Sequence, residues 1–165
     1  MSASDRNVVV RRVRADEHLE LKAVRLSALA YSPHLAEHLA RETAEPPRFW
    51  RNRAAKGAAA DEMATFVAVR QEGFVGVADG FLSDDAQVVE IGGMWVSPSL
   101  RRAGTGRALL AAVCEWARER GAVRAGLWVR SANAPARLLY EREGFALART
   151  SSGPVPQGMR LERIL

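Results

Sequence analysis

Apolar and polar positions along this chain switch between two periods, and each switch predicts a change of element. Val8, Val9, Val10 and Val13 around Arg11-Arg12 predict a first strand. Asp16 is placed to cap a helix that carries Leu19, Ala23, Leu26 and Ala30 on one face. Ser32-Pro33 predicts a second start, with Ser as cap and Pro in the first turn, running through Leu35 and Leu39. Pro46-Pro47 interrupts, and a short helix through Phe49 and Trp50 is expected to stop at Gly57.

From Ala64 the period shortens to that of strands. Thr65 to Val69, a turn at Gln71-Glu72-Gly73, and Phe74 to Ala78 predict a hairpin, and Ser83-Asp84-Asp85 turns the chain into a third strand, Gln87 to Val96. A helix then spans about Gly106 to Arg120, with Gly121 ending it before a strand at Ala125 to Val129. Strand, helix and strand in that order make a crossover and hence a parallel pair. A helix from Ala134 to Glu143, a strand from Phe145 to Arg149, a Ser151 to Pro154 loop and a strand from Met159 to Ile164 close the chain. The pattern predicts an α/β fold on a mixed, mainly antiparallel sheet.

The junction after the third strand carries the first chemistry. Arg101-Arg102-Ala103-Gly104-Thr105-Gly106 lies between an apolar strand and an apolar helix. Glycines there let the backbone approach a ligand, and the first N–H groups of the helix attract anions, a phosphate or pyrophosphate above all. Glycine also opens helices merely to turn the chain, so the loop alone leaves both readings open. Gly92-Gly93, in mid-strand, predicts a bulge or a close backbone approach, or else a concession to a packed helix.

Composition narrows the class. With 165 residues, 48% of them hydrophobic and 26% charged, the chain has the make-up of one globular domain, expected over residues 1–165. No window approaches a membrane span and the start lacks a signal-like apolar stretch, so a cytoplasmic protein is expected. Net charge is +5, carried by arginine with Lys22 and Lys56 as the only lysines. That charge favours anionic partners, but the arginines are scattered without aromatic interleaving, which disfavours nucleic acid. The lone Cys114, among Leu110, Val113 and Ala117, reads as a core thiol rather than a nucleophile. His34 and His38 are four apart but lack a third ligand, so they read as surface or cleft-lining histidines and no metal is expected.

Two motifs together carry a resemblance. Arg101-x-x-Gly104-x-Gly106, preceded by Met94-Trp95-Val96-Ser97-Pro98, resembles the acyl-CoA pyrophosphate loop of the GNAT superfamily of N-acetyltransferases. Asn133, Ala136, Tyr140, Gly144 and Phe145 resemble that family's Asn-x-x-Ala-x-x-x-Tyr-x-x-x-Gly-Phe. The likeness is close from Thr65 to Arg149 and holds only in outline before that.

The resemblance implies a GNAT fold, with six to seven strands and about four helices, splayed at the cofactor strand. It implies acetyl-CoA as co-substrate, held by Met94, Trp95 and Val96, by Arg101, Arg102, Ala103, Gly104, Thr105, Gly106 and Arg107, and by Asn133, Ala136 and Tyr140. Main-chain groups of Met94 and Val96 would pair with the pantetheine arm, with the Met94 N–H near the thioester oxygen. Asn133 also suits an N-cap, and both roles are compatible. Tyr140 is implied as the acid that protonates the departing thiolate, against the alternative of a half-buried core aromatic. Glu90, fourteen residues before Gly104, stands where one branch of the superfamily carries a base; the alternative is a strand glutamate on a solvated face.

The expected reaction is direct attack of an amine on the thioester in a ternary complex, with a small-molecule or protein amine as acceptor and a monomer or homodimer as the working form. The other readings are a non-catalytic acyl-CoA-binding module and a toxin-like enzyme acetylating aminoacyl-tRNA. The acceptor would be shaped by the helices between Asp16 and Gly57 and by the Ser151 to Gln157 loop.

Overall fold

The computed structural model describes residues 7–71, 73–150 and 154–165. Seven strands form one open sheet in the order β1-β2-β3-β4-β5-β7-β6. They are β1 (Val9–Arg12), β2 (Met63–Arg70), β3 (Gly73–Leu82), β4 (Val88–Val96), β5 (Arg124–Arg130), β6 (Ala146–Thr150) and β7 (Gly158–Ile164). Every neighbouring pair is antiparallel except β4 and β5, the pair joined by a helical crossover. The mixed, mainly antiparallel sheet expected from the sequence is therefore present. Among the expected turns and loops, Gln71-Glu72-Gly73 includes one residue outside those described, and the Ser151 to Pro154 loop lies outside them up to residue 153.

Among the described residues five α-helices accompany the sheet, against about four expected: α1 (His18–Tyr31), α2 (Ala36–Thr43), α3 (Pro47–Ala59), α4 (Thr105–Glu119) and α5 (Ala134–Arg142). Helix α4 lies on one face of the sheet. It buries Leu109, Leu110, Val113, Cys114, Trp116 and Ala117 at helical spacing against Phe66, Ala78, Val89, Ile91, Ala125 and Leu127. Each such fully buried aliphatic side chain stabilises the fold by roughly 1.5–3 kcal/mol. Cys114 is fully enclosed there, and burial pushes its thiol up, as befits a core residue. Helices α1 and α3 cover the other face, where Leu21, Val24 and Ala54 pack on Val13, Val67 and Val77.

The helical first third departs from the sequence reading in detail. Helix α1 buries Leu21, Val24, Ala28 and Leu29 and leaves Leu19 exposed, so the face presented to the sheet is rotated from the one expected. Its N-cap position is Glu17 rather than Asp16, and the Glu17 carboxylate is drawn to Arg11 and to the Arg14 N–H. Ser32 makes no side-chain cap; a short 3-10 segment, Pro33–Leu35, leads instead into α2. Gly57 does not end α3. It lies inside the helix because a Cβ there would come within 2.6 Å of the Thr65 hydroxyl, so glycine lets the helix sit close on the sheet.

Candidate active site

A bulge and a fork shape the site. Opposite Val77 to Asp79, strand β4 carries one residue more than its partner, and Gly93 takes φ +58 at that point. A Cβ on Gly93 would meet the Asp79 carboxylate at 2.9 Å, so both conformation and space call for glycine. The bulge expected at Gly92-Gly93 is thus present. Strands β4 and β5 pair from Val88 and Arg124 as far as Ile91 and Leu127 and no further. Beyond them β4 follows β3 up to Val96, while β5 follows β7 up to Arg130. The sheet opens at this fork, which is the splay expected at the cofactor strand.

A cleft of about 330 Å³ occupies the fork. Strand alternation sends Leu127 and Val129 toward the α4 face, where Tyr140 of α5 joins them in the core cluster. Trp128 and Arg130 point to the α1 face. There the cleft is bounded by α1, by His34 and Leu35 of the short 3-10 segment and by His38 of α2, so both histidines line it as the sequence reading allowed. The opening therefore passes through the sheet from the α5 side to the α1 side.

After β4, Pro98–Leu100 forms a short 3-10 turn and the chain then bends through Arg102, at φ +65, and Gly104, at φ +87. Gly104 is the N-cap of α4, and a Cβ there would point into open space. The first bond of the helix runs from the Ala108 N–H to the Gly104 carbonyl, so the N–H groups of Thr105, Gly106 and Arg107 precede the helical ladder. They and the helix dipole favour an anion, and Arg102, Ala103 and Arg107 are exposed beside them. Gly106 has a separate cause: a Cβ would lie 2.9 Å from Leu139 and 3.3 Å from the Met94 methyl, so glycine lets α4 come close to α5 and β4.

Arg101 is turned back on its own scaffold. Its Nε donates to the Val96 carbonyl at 3.0 Å, its Nη1 to the Tyr31 hydroxyl at 3.1 Å, and its guanidinium lies 4.4 Å from the centre of the Tyr31 ring. That ring in turn packs edge-on against Trp95 at 6.5 Å. Arg101 thereby ties the end of β4 to the end of α1.

On the other wall, Asn133 caps α5, its Oδ1 accepting from the Ala136 N–H at 3.3 Å. Ala136 and Tyr140 line the cleft from the same helix. Tyr140 is only 8% exposed, and burial raises its phenol to about 12. Its ring meets Phe145 edge-on at 6.1 Å. The cleft thus brings together Met94, Trp95, Asn133, Ala136 and Tyr140.

Glu90 lies elsewhere. It pairs with Phe81 and Gly126 at the foot of the fork, on the α1 face, and is not among the residues that line the cleft. Both its oxygens accept from the Arg160 guanidinium, which also donates to Glu162 and lies over the Trp128 ring. Arg160 fills the space above Gly126, where a Cβ would displace its guanidinium. Sequence reasoning missed this clamp. Alternation along β7 could have placed Arg160 on that face, but not its reach across β5 to β4.

A second cluster missed from the sequence supports the bulge from below. Asp79 is buried, accepts from the Thr65 hydroxyl at 2.6 Å and stands 3.6 Å from Arg53. Arg53 and Arg25 both bind the buried Glu42 at 3.0 Å. Burial pushes the Asp79 carboxyl up, against the opposing pull of Thr65 and the two arginines. Among the described residues no group of three His, Cys, Asp or Glu side chains is arranged to hold a metal ion, and no helix is long and apolar enough to cross a membrane.

Comparison with known proteins bears on the same stretch. The streptothricin acetyltransferase of Streptomyces lavendulae is 42% identical over 93 residues, 56% of this chain and 49% of that protein. The chain thus spans about half the length of the curated relative it matches. A nourseothricin acetyltransferase structure is 30% identical over 62% of this chain and 65% of its own, with a TM-score of 0.58. The PaiA N-acetyltransferase of Thermoplasma acidophilum, solved with coenzyme A, covers 96% of this chain and 99% of its own at a TM-score of 0.81 and 13% identity, a likeness of fold. The model of the Acetyltransferase (GNAT) family matches residues 25–145, from α1 through the bulge, the glycine loop and Tyr140 to Phe145. With nearly the whole fork inside that match, the chain belongs to the GNAT acetyltransferase family.

Proposed function

We propose that this protein moves the acetyl group of acetyl-CoA directly to a primary amine while both are bound. The observation that carries the reading is the fork itself. Parallel pairing stops at Ile91 and Leu127, a cleft lined from both faces of the sheet occupies the opening, and the first turn of α4, without a side-chain cap, lies by Gly106 close to Met94 of β4 and Leu139 of α5.

In this reading the pyrophosphate sits on the first turn of α4, among Arg102, Ala103, Gly104, Thr105, Gly106 and Arg107, with Arg101 holding the loop to β4 and α1. The pantetheine arm lies along Met94, Trp95 and Val96, in the place a further strand would take, and against Asn133 and Ala136. The Val96 carbonyl keeps a second lone pair for it beside the bond from Arg101. The amine enters from the α1 side. Its nitrogen lone pair forms the new C–N bond, and the oxyanion that develops is stabilised by the Met94 N–H. As the C–S bond breaks, the electron pair goes to sulfur and Tyr140 gives the thiolate its proton. A phenol raised to about 12 is fully protonated at neutral pH, as an acid must be. Glu90 accepts the proton lost by the amine, through water because its carboxylate stands outside the cleft.

Thermal melting with and without acetyl-CoA, followed by CoA release over a panel of amines that includes streptothricin, tests the reading. Acetyl-CoA should raise the melting temperature, by about 2.7 kcal/mol of stability at a hundredfold excess over Kd. No shift at millimolar acetyl-CoA would remove the proposal.

A further inference from the structure

The α1 side of the cleft has a one-sided charge. Its titratable lining is Arg25, His34, His38 and Arg130, with no aspartate, glutamate or lysine. The adjoining segments 31–35 and 154–158 contain no acidic residue either. Arg25 is neutralised by Glu42, and His38 is bonded to Arg41. Arg130 is different. Half-buried at the end of β5, its guanidinium has no hydrogen bond or ion pair among the described residues. It faces His34 on the opposite wall closely enough that its charge, after burial, lowers the pKa of that imidazole. Such a guanidinium in a concave wall is set to receive an oxyanion, and its planar fork matches a carboxylate in particular.

We propose that the acceptor amine belongs to a small molecule that also carries a carboxylate, which Arg130 holds, with His34 across the cleft, on the α1 side of the fork. The proposal rests on the reading that an amine is acetylated here, and it names the substrate class. Arg130 points to the face of the sheet opposite α4, whose first turn with Arg102 and Arg107 supplies the phosphate site, so acetyl-CoA does not require it. A polycationic acceptor would meet no carboxylate among the residues that line this wall. The bound carboxylate leaves the amine free to reach the bulge at Gly93.

The chain has three histidines, so each imidazole can be followed by NMR. The protein is saturated with CoA and titrated at constant ionic strength with N-acetylglycine, methylphosphonate or N-acetylethanolamine. N-acetylglycine should move the His34 signals and raise its titration midpoint by several tenths of a unit, because an anion between the two cations favours the imidazolium. His18 should not respond. N-acetylethanolamine should do nothing, and methylphosphonate less than the carboxylate. Arg130→Gln should abolish the response while keeping the melting shift with acetyl-CoA.

In CoA release, amino acids should outpace their carboxamides, and Arg130→Gln should remove at least tenfold of that preference. No His34 response at 100 mM carboxylate, or a stronger response to phosphonate, overturns the carboxylate assignment. Loss of the acetyl-CoA shift in Arg130→Gln would give the arginine to the cofactor and overturn it as well. Absence of that shift in the unaltered protein would instead count against acetyl-CoA binding itself.

Discussion

The two walls of the fork are supported in opposite ways. On the α5 side Tyr140, Val129 and Leu139 stand on an apolar core shared with Leu109 and Leu110. On the α1 side the bulge rests on Asp79, Thr65, Arg53, Glu42 and Arg25, a group joined by hydrogen bonds and ion pairs. Apolar packing holds a wall in place without dictating its charge. Buried ions hold it only as a set, since the loss of one member leaves another unpaired.

The largest effect is expected where the charged wall is broken. Asp79→Ala leaves Arg53 without that carboxylate beneath the bulge and should lower stability by about 3–5 kcal/mol, read by urea denaturation. Asp79→Asn, which keeps an acceptor for Thr65, should cost far less. Because burial raises the folded pKa of Asp79, this group stabilises the fold below its unfolded value and loses that contribution as pH rises through the folded one. Asp79→Asn should therefore flatten this part of the stability profile. Equal losses for Ala and Asn would show that the wall depends on the charge of Asp79 beside Arg53 and not on its bond to Thr65.

On the apolar wall, Tyr140→Phe should keep the melting shift with acetyl-CoA and reduce kcat by roughly 10- to 1000-fold. With its phenol at about 12, the unaltered enzyme should show no fall in kcat from this group until pH approaches that value. The corresponding stability is present below pH 10 and lost as pH rises through about 12. Normal turnover by the variant would make Tyr140 a packing residue alone.

Gly104→Val tests the mouth between the walls. A Cβ meets nothing there, but φ +87 is strained for a branched residue, by about 1–3 kcal/mol. The melting shift with acetyl-CoA, about 2.7 kcal/mol at a hundredfold excess, should disappear. A retained shift would move the phosphate site away from α4.

The smallest effect is expected at Glu90→Gln. Acting through water and held by Arg160, Glu90 should contribute no more than about tenfold to the rate at neutral pH, below the usual range for a direct base. The variant should recover partly at high pH, where the amine is already neutral. An unchanged pH profile would leave Glu90 as the anchor of Arg160.

Legibility in the sequence followed the same division. The apolar wall was readable because helix period and strand alternation report burial directly, and because Asn133 and Tyr140 lie two turns apart on one helix. The bulge was readable from Gly92-Gly93. The charged wall was not, since Asp79, Arg53 and Glu42 come from a strand and two helices and no local pattern ties them together. The rotated face of α1 was misread for a related reason: Leu19 and Leu21 are equally apolar, and only docking on Val67 and Val77 selects Leu21. Glu90 could be placed on its strand but not beside Arg160, seventy residues away.

The short parallel seam between β4 and β5 has a consequence for the order of assembly. Four residue pairs, Val88 with Arg124 through Ile91 with Leu127, together with the bonds of the Val123 and Arg124 N–H groups to the Gln87 carbonyl, join the two antiparallel blocks along the backbone. The block β1 to β4 is built largely of hairpin contacts between sequence neighbours, whereas the seam must wait for α4 to bring β5 back across the sheet. In native-state hydrogen exchange the seam amides should open with the docking of the two blocks rather than with either block alone. The width of the cleft would then depend on one of the last parts of the molecule to form.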